Sequence, residues 1–264
     1  MSDDFLFVAS LIAIEYLKRK KIPPGDGYTE IIENPTTPVH LSSKRDVLIR
    51  NGNITAVKGG DSYCILTEGC TNIGVQGGIY RTATKALNFR YTNTVRVSNV
   101  DISDCSETAL RFPYCSDVIA ENPRISDTVD NGLDVGFTTN VVVINPYIRR
   151  VSAYGNGIDT DSTNKNKIYT PDVADCISNG IMVQRSNMVE IAGGTVQRCK
   201  TGVSIINNIA PVYVHDLNIS GCTTAMWIGA GQTVYLDNVV TDKPISKATS
   251  AVVYIDKGAP PNWF

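Results

Sequence analysis

The feature that most narrows what this chain can fold into is a pattern that returns every 22 to 25 residues. A small residue, an apolar one, a variable one and usually a second apolar one recur as Ala86-Leu87-Asn88-Phe89, Ala109-Leu110-Arg111-Phe112, Gly132-Leu133-Asp134-Val135, Gly157-Ile158-Asp159-Thr160, Gly180-Ile181-Met182-Val183, Gly202-Val203-Ser204-Ile205 and Ala225-Met226-Trp227-Ile228. Such a period marks a coil in which each unit buries its apolar face only against its neighbours. A second alternating run follows in most units, as in Ile73-Gly74-Val75, Val95-Arg96-Val97, Val118-Ile119-Ala120, Val141-Val142-Val143, Val189-Glu190-Ile191, Val212-Tyr213-Val214 and Val234-Tyr235-Leu236. A third is marked by Ile54, Ile79, Ile102, Ile125, Ile148, Val196, Ile219 and Val240. Three short period-two strands per repeat predict an all-β chain: a single-stranded parallel β-helix of about nine turns, each adding one strand to each of three sheets.

Stacked turns bring equivalent residues to about 4.8 Å of one another. The inward column Leu87, Leu110, Leu133, Ile158, Ile181, Val203, Met226 then becomes a continuous apolar core. Asn131-Gly132, Asn156-Gly157 and Asn179-Gly180 fall at one corner, where glycine accepts strained backbone and stacked asparagine amides hydrogen-bond to one another. The seven cysteines lack the spacing of a disulfide framework. Cys105, Cys176, Cys199 and Cys222 follow the third strand, and Cys70 and Cys115 precede the second, so they read as buried rungs. A bridge between Cys199 and Cys222 is geometrically open and unsupported.

Over roughly residues 40 to 255 these repeats resemble the right-handed parallel β-helices of the pectate-lyase-like superfamily. The resemblance implies an N-terminal helix capping the open end of the coil. The stretch Phe5 to Leu17, broken off by Pro23-Pro24-Gly25, suits that role. The chain accordingly divides into an N-terminal helix over 1–24 (cap, oligomerisation or attachment), the β-helix over 25–258 and a tail over 259–264. The helix is apolar nearly all round from Phe5 to Ile14, more than one buried face requires. The superfamily includes lyases, hydrolases, epimerases, phage tailspikes and non-catalytic adhesins, so the resemblance bears on fold and leaves activity open.

Function would sit on the outward positions. On the first sheet these are Asn88, Arg111, Asp134, Asp159, Met182, Ser204 and Trp227, with Arg90 and Asp161 next along their strands. Asp134 and Asp159 are expected about 5 Å apart, and Asp161 about 6–7 Å from Asp159, separations that overlap those of glycosidase carboxylate pairs. Repulsion within such a group raises one pKa and supplies a general acid. Asp134, Asp159, Asp161 and Arg111 are the candidate catalytic residues, and Asn88, Arg90 and Trp227 the candidate saccharide contacts. The plainer reading is a solvated strand face with ordinary cross-strand charge pairing.

Asn156-Gly157-Ile158-Asp159 and Ala174-Asp175-Cys176-Ile177 look like the polygalacturonase pattern Asn-Thr-Asp-Gly-Ile-Asp followed by Asp-Asp-Cys-Ile. Asn156 stands where that family has its first catalytic Asp and Ala174 replaces the first Asp of the pair. Asp175 matches the second and joins the candidate substrate contacts. The family's Gly-His-Gly and Arg-Ile-Lys motifs have no counterpart, which argues against its chemistry here. Pectate-lyase chemistry needs Ca²⁺ among clustered acids. Asp134, Asp159 and Asp161 can hold a cation, but no motif singles one out, so no cofactor is expected.

The second sheet's outward ladder, Arg96, Ile119, Val142, Tyr169, Glu190, Tyr213, Tyr235, is too apolar for a solvated face. Ile119, Val142, Tyr169, Tyr213 and Tyr235 read as covered by a loop or by another subunit, the latter as in trimeric tailspikes. The segment DSTNKNKI, Asp161 to Ile168, reads as a loop about two residues longer than its equivalents, beside the acidic cluster.

A formal charge of -2 leaves no footprint for nucleic acid, and two histidines without a Cys-x-x-Cys pair make zinc improbable. The N-terminus has acidic residues where a signal peptide wants basic ones, and Glu15 interrupts its apolar run, so neither secretion nor membrane insertion is expected. Sugar-active relatives are normally secreted. A virion protein, assembled in the host cytoplasm and released by lysis, removes that tension. The expectation is a tailspike-like or fibre-like homotrimer that binds cell-surface polysaccharide and meets other virion proteins through its N-terminal helix. The alternatives are a polysaccharide hydrolase or lyase, and a purely structural element.

Overall fold

The computed structural model describes residues 27–259 except Lys58, and its regular structure there is entirely strand. The N-terminal helix expected over 1–24 lies outside the described residues, as does the tail beyond 259. The first sheet stacks ten parallel strands from Val39–Ser42 to Ile245–Lys247, which gives nine full turns between them. The second and third sheets share the long strands Arg45–Thr55 and Thr71–Arg81, each of which runs from one sheet into the other.

The core follows from the alternation. Leu87, Leu110, Leu133, Ile158, Ile181, Val203 and Met226 pair rung to rung and are fully buried. The third sheet contributes Ile54, Tyr80, Ile102, Ile125, Ile148, Val173, Val196 and Ile219 in the same way. Each large side chain so buried contributes about 1.5–3 kcal/mol. Two markers of the third strand are corrected by one residue. Inward positions of the second and third sheets are separated by a fixed step, Val97 to Ile102 for example. That step turns Tyr80 and Thr241 inward, and leaves Ile79 opposite Asp101 and Val240 exposed.

The second sheet holds a larger correction. DSTNKNKI is not an extended loop, because Asn164–Tyr169 is a regular strand between Thr139–Ile144 and Asn187–Ala192. The column reads Val95, Val118, Val141, Asn166, Val189, Val212, Val234. Asn166 is fully buried, and neither polar atom of its amide has a partner. A polar residue at a core rung breaks the alternation by which a strand is recognised. The extra residues of the longer repeat lie instead in the non-strand segment 152–157, where Tyr154 is 94% exposed.

The asparagine corner forms as expected. Asn156 N–H donates to Asn131 Oδ1 at 2.8 Å, and Asn179 Nδ2 donates to Asn156 Oδ1 at 2.8 Å. Its glycines serve close approach rather than strained backbone. A Cβ on Gly157 would lie 2.4 Å from Val173 Cγ1 and 2.5 Å from the Gly180 carbonyl oxygen. All seven cysteines are buried and free, Cys199 and Cys222 included.

Candidate functional site

The expected outward ladder of the first sheet forms in register: Asn88, Arg111, Asp134, Asp159, Met182, Ser204, Trp227. Arg111 Nε donates to Asp134 Oδ2 at 2.8 Å across one rung. Asp159 sits on the far side of Asp134, 9% exposed. Burial is the main reason its carboxyl is pushed up to about 7, and the charge of Asp134 adds to it. Opposing these, Asn156 Nδ2 donates to Asp159 Oδ2 at 2.9 Å and Gln184 Nε2 to Oδ1 at 3.4 Å. Burial raises Asp134 as well, with the Arg111 guanidinium pulling the other way. Asp161, two residues along from Asp159, accepts from Ser162 Oγ at 2.9 Å and from Arg185 Nε at 2.8 Å, with a second, short contact from Arg185 Nη2.

The acidic candidates and Arg111 are thus brought together; the proposed saccharide contacts mostly are not. Asn88 points outward but is fully buried with an unpartnered amide. Its rung neighbours are Leu66 and Arg111, and the next outward residue on its own strand is Arg90. Arg90 turns toward the preceding coil, donating to Tyr63 Oη at 2.9 Å and Glu68 Oε1 at 3.4 Å. Trp227, 41% exposed, lies three rungs from Asp159. Asp175 belongs to the third sheet and is held by Arg198 at 2.7 and 2.9 Å, so the polygalacturonase-like motif does not converge on the cluster. Two residues of the site carried no motif, Gln184 and Arg185, and Asn156, read as a corner residue and as the substitute for a catalytic Asp, holds Asp159 instead. The only sequence signal of Gln184 and Arg185 is the rung spacing that places them beside Asp159 and Asp161. Among the described residues, no three His, Cys, Asp or Glu side chains are grouped to hold a metal ion, and no helix is long and apolar enough to cross a membrane.

On the second sheet, Ile119 and Val142 are buried, with Ile144, Tyr169 and Ala192 in the same apolar cluster. Tyr169 is not on their rung. The residue between Val142 and Glu190 is Lys167, whose Nζ lies 3.2 Å from Glu190 Oε2. Tyr213 stacks on His215 at 4.5 Å, and the partly exposed Tyr235 stacks on Tyr254 at 4.7 Å.

One corner column escaped the sequence reading. The residues that turn the chain from the first sheet into the second are Gly69, Tyr91, Tyr114, Phe137, Ser162 and Arg185, each hydrogen-bonded through its N–H to the next coil and each at φ between 48° and 61°. Tyr91 and Tyr114 stack at 5.0 Å, and Tyr114 and Phe137 at 4.9 Å. A bulky residue at positive φ costs on the order of 1–3 kcal/mol, whereas an aromatic pair returns about 0.5–1.5 kcal/mol. The rings remain 61%, 48% and 52% exposed, so burial does not offset the difference. The neighbouring corner of the same coils meets the same demand with Asn99, Asn122 and Asn145, residues suited to left-handed backbone.

By sequence, no curated protein matches the chain. By fold it is similar to the enzymatically active domain of tailspike protein 2 of bacteriophage CBA120 (TM-score 0.65, 12% identity, 86% of this chain and 47% of that one). It is also similar to the receptor binding domain of the siphovirus 9NA tailspike (0.55, 11%, 86% and 52%) and to an alginate lyase from Paenibacillus sp. str. FPU-7 (0.57, 13%, 88% and 94%). The chain spans 37% of the full-length form of that first tailspike. At these identities the likeness is one of fold. The family model for the right handed beta helix region matches residues 85–241, more than half of the chain, and the protein belongs to that family.

Proposed function

We propose that this protein is a tailspike-like or fibre-like virion component whose first-sheet face binds a polysaccharide of the host cell surface. The observation that carries the reading is the run Arg111, Asp134, Asp159, Asp161 and Arg185, in which carboxylates and guanidinium groups lie a strand spacing apart on one rigid outward surface. Such groups accept and donate in the pairwise way that vicinal hydroxyls require. The similarity in fold to two phage tailspike domains supports the virion setting. Trimerisation, and attachment to other virion proteins through residues 1–24, belong to the same proposal.

A second reading is favoured by Asp159. A carboxyl that holds its proton up to about 7, next to Asp134 and Asp161, has the make-up of a general acid beside a base or nucleophile. The protein then cleaves the glycan that it binds, and Arg111 and Arg185 orient acidic substituents.

Both readings are tested with a panel of bacterial capsular and O-chain oligosaccharides. Binding by the wild type that falls at least tenfold in Arg111→Gln supports recognition, and a panel without a binder refutes it. New reducing ends, or ultraviolet-absorbing unsaturated ends, released from a bound glycan and lost in Asp159→Asn assign an enzyme.

A further inference from the structure

We infer that the open ring face of Phe137 is a subsite for one hexopyranose unit. The sugar lies in the notch above Ser162, its apolar C–H face on the ring and its hydroxyls on Asp161 and Arg185. This rests on the saccharide reading above and gives it a location. Three observations carry it.

The first is where the aromatic column stops. Tyr91, Tyr114 and Phe137 cover one another's faces, and the column is bounded by Gly69 at one end and Ser162 at the other. A ring face is therefore available only at the two ends, where the next rung carries no side chain or a hydroxymethyl group. The Arg185 backbone is two rungs beyond Phe137, roughly 10 Å at the strand spacing, and its guanidinium reaches back to Asp161 in the coil of Ser162, where it walls the notch beside the ring.

The second is what lines the Ser162 end. Asp161 is the outward residue immediately before it, 19% exposed at its side chain, and it is clamped by Ser162 Oγ and by Nε and Nη2 of Arg185. An apolar ring face beside a fixed carboxylate and a guanidinium fits a molecule with one apolar face and a polar rim. A pyranose has that shape; a lipid lacks the rim, and a folded protein surface needs far more area. The Gly69 end has Glu68 at the equivalent position, held by Arg90 at 3.4 Å and His40 at 3.1 Å. The Ser162 end differs in that its carboxylate follows Asp159 on the same strand and so continues the acidic ladder from Asp134.

The third is exposure: the rings of Tyr91, Tyr114 and Phe137 remain 61%, 48% and 52% exposed at a corner that Gly69, Ser162 and Arg185 fill in other coils. The fold gains little from the rings, so their placement points to something outside the chain.

The test uses the full chain and the tightest-binding oligosaccharide from the capsular and O-chain panel, titrated by calorimetry. Phe137→Ala removes the platform, and Ser162→Tyr continues the aromatic column and fills the notch; it takes the Ser162 hydroxyl from Asp161 but leaves both Arg185 contacts in place. Both are expected to weaken binding at least tenfold, while Tyr154→Ala, a change at a 94% exposed tyrosine away from this corner, shifts it less than twofold. Ser162→Tyr sets a bulky residue at positive φ in exchange for one further stacked pair, so its melting temperature should fall by no more than a few degrees, and a single cooperative transition there shows that loss of binding is not loss of fold. If the wild type binds and both corner variants bind within twofold of it, this inference fails and the broader proposal stands. If no oligosaccharide in the panel binds the wild type, the broader proposal fails and the inference with it. If Phe137→Ala instead shifts the sedimentation coefficient to that of a smaller oligomer, the column is a contact between copies of the chain, and the inference is overturned.

Discussion

Replacing Asp159 with Asn should make the protein more stable at pH 8 and leave it unchanged at pH 4. The Asp159 carboxyl binds its proton at about 7 in the fold, against 3.8 for an unperturbed group, chiefly because it is buried and secondly because it faces Asp134. Between these values the folded chain holds a proton that the unfolded chain has released, so stability falls as pH rises. The favourable contribution is fully present below 3.8 and is lost as pH passes through about 7. A separation of this size corresponds to a ceiling of roughly 4 kcal/mol at pH 8. An asparagine would keep one of the two amide donors, Asn156 or Gln184, on its single oxygen and set its Nδ2 against the other, which holds the gain below that ceiling. We expect Asp159→Asn to be about 2–4 kcal/mol more stable than the wild type at pH 8, a rise of some 5–10 °C in melting temperature for a chain of this size. Thermal unfolding followed by circular dichroism at pH 4, 6 and 8 measures this directly. A wild type that melts above Asp159→Asn at pH 8, or a gap that does not change with pH, would refute the account of a buried, proton-holding carboxyl.

Asn166→Val should raise the urea midpoint with an unchanged slope, by about 1–3 kcal/mol, because it removes a buried amide with no partner from a column of valines. Gly157→Ala should cost about 1–3 kcal/mol in the same assay, since its Cβ would meet Val173 and the Gly180 carbonyl at 2.4 and 2.5 Å. Iodoacetamide at pH 8 should label the folded protein slowly and all seven cysteines once it is unfolded. The thiols are buried, and burial pushes Cys105 and Cys115 up to about 12. Rapid labelling of the native chain, read by mass spectrometry, would contradict this.

Much of the architecture was legible because stacking repeats one decision many times. The inward column from Leu87 to Met226, the asparagine corner and the acidic ladder through Asp134 and Asp159 all follow from a period and an alternation. The reading slipped where a rung departed from type. Asn166 hid the strand Asn164–Tyr169 and so misplaced Tyr169 on the second ladder, and Ile79 drew attention from the inward Tyr80. The aromatic corner is not legible from the apolar alternation, in which a solvent-facing turn residue takes no part, although Tyr91, Tyr114 and Phe137 keep the same period.

The sequence by itself determined a parallel coil of three sheets, the identity of its core rungs and the line on which its carboxylates lie. Those depend on side-chain size and alternation, which are local and repeated. The tertiary structure alone decided that Arg111 pairs with Asp134 while Arg185 takes Asp161, that Asp159 is buried enough to hold its proton, that Asn88 is out of reach and that Asp175 is engaged elsewhere. Each depends on which long side chains reach across a rung of about 4.8 Å and how much water they leave. A one-dimensional pattern does not carry that information.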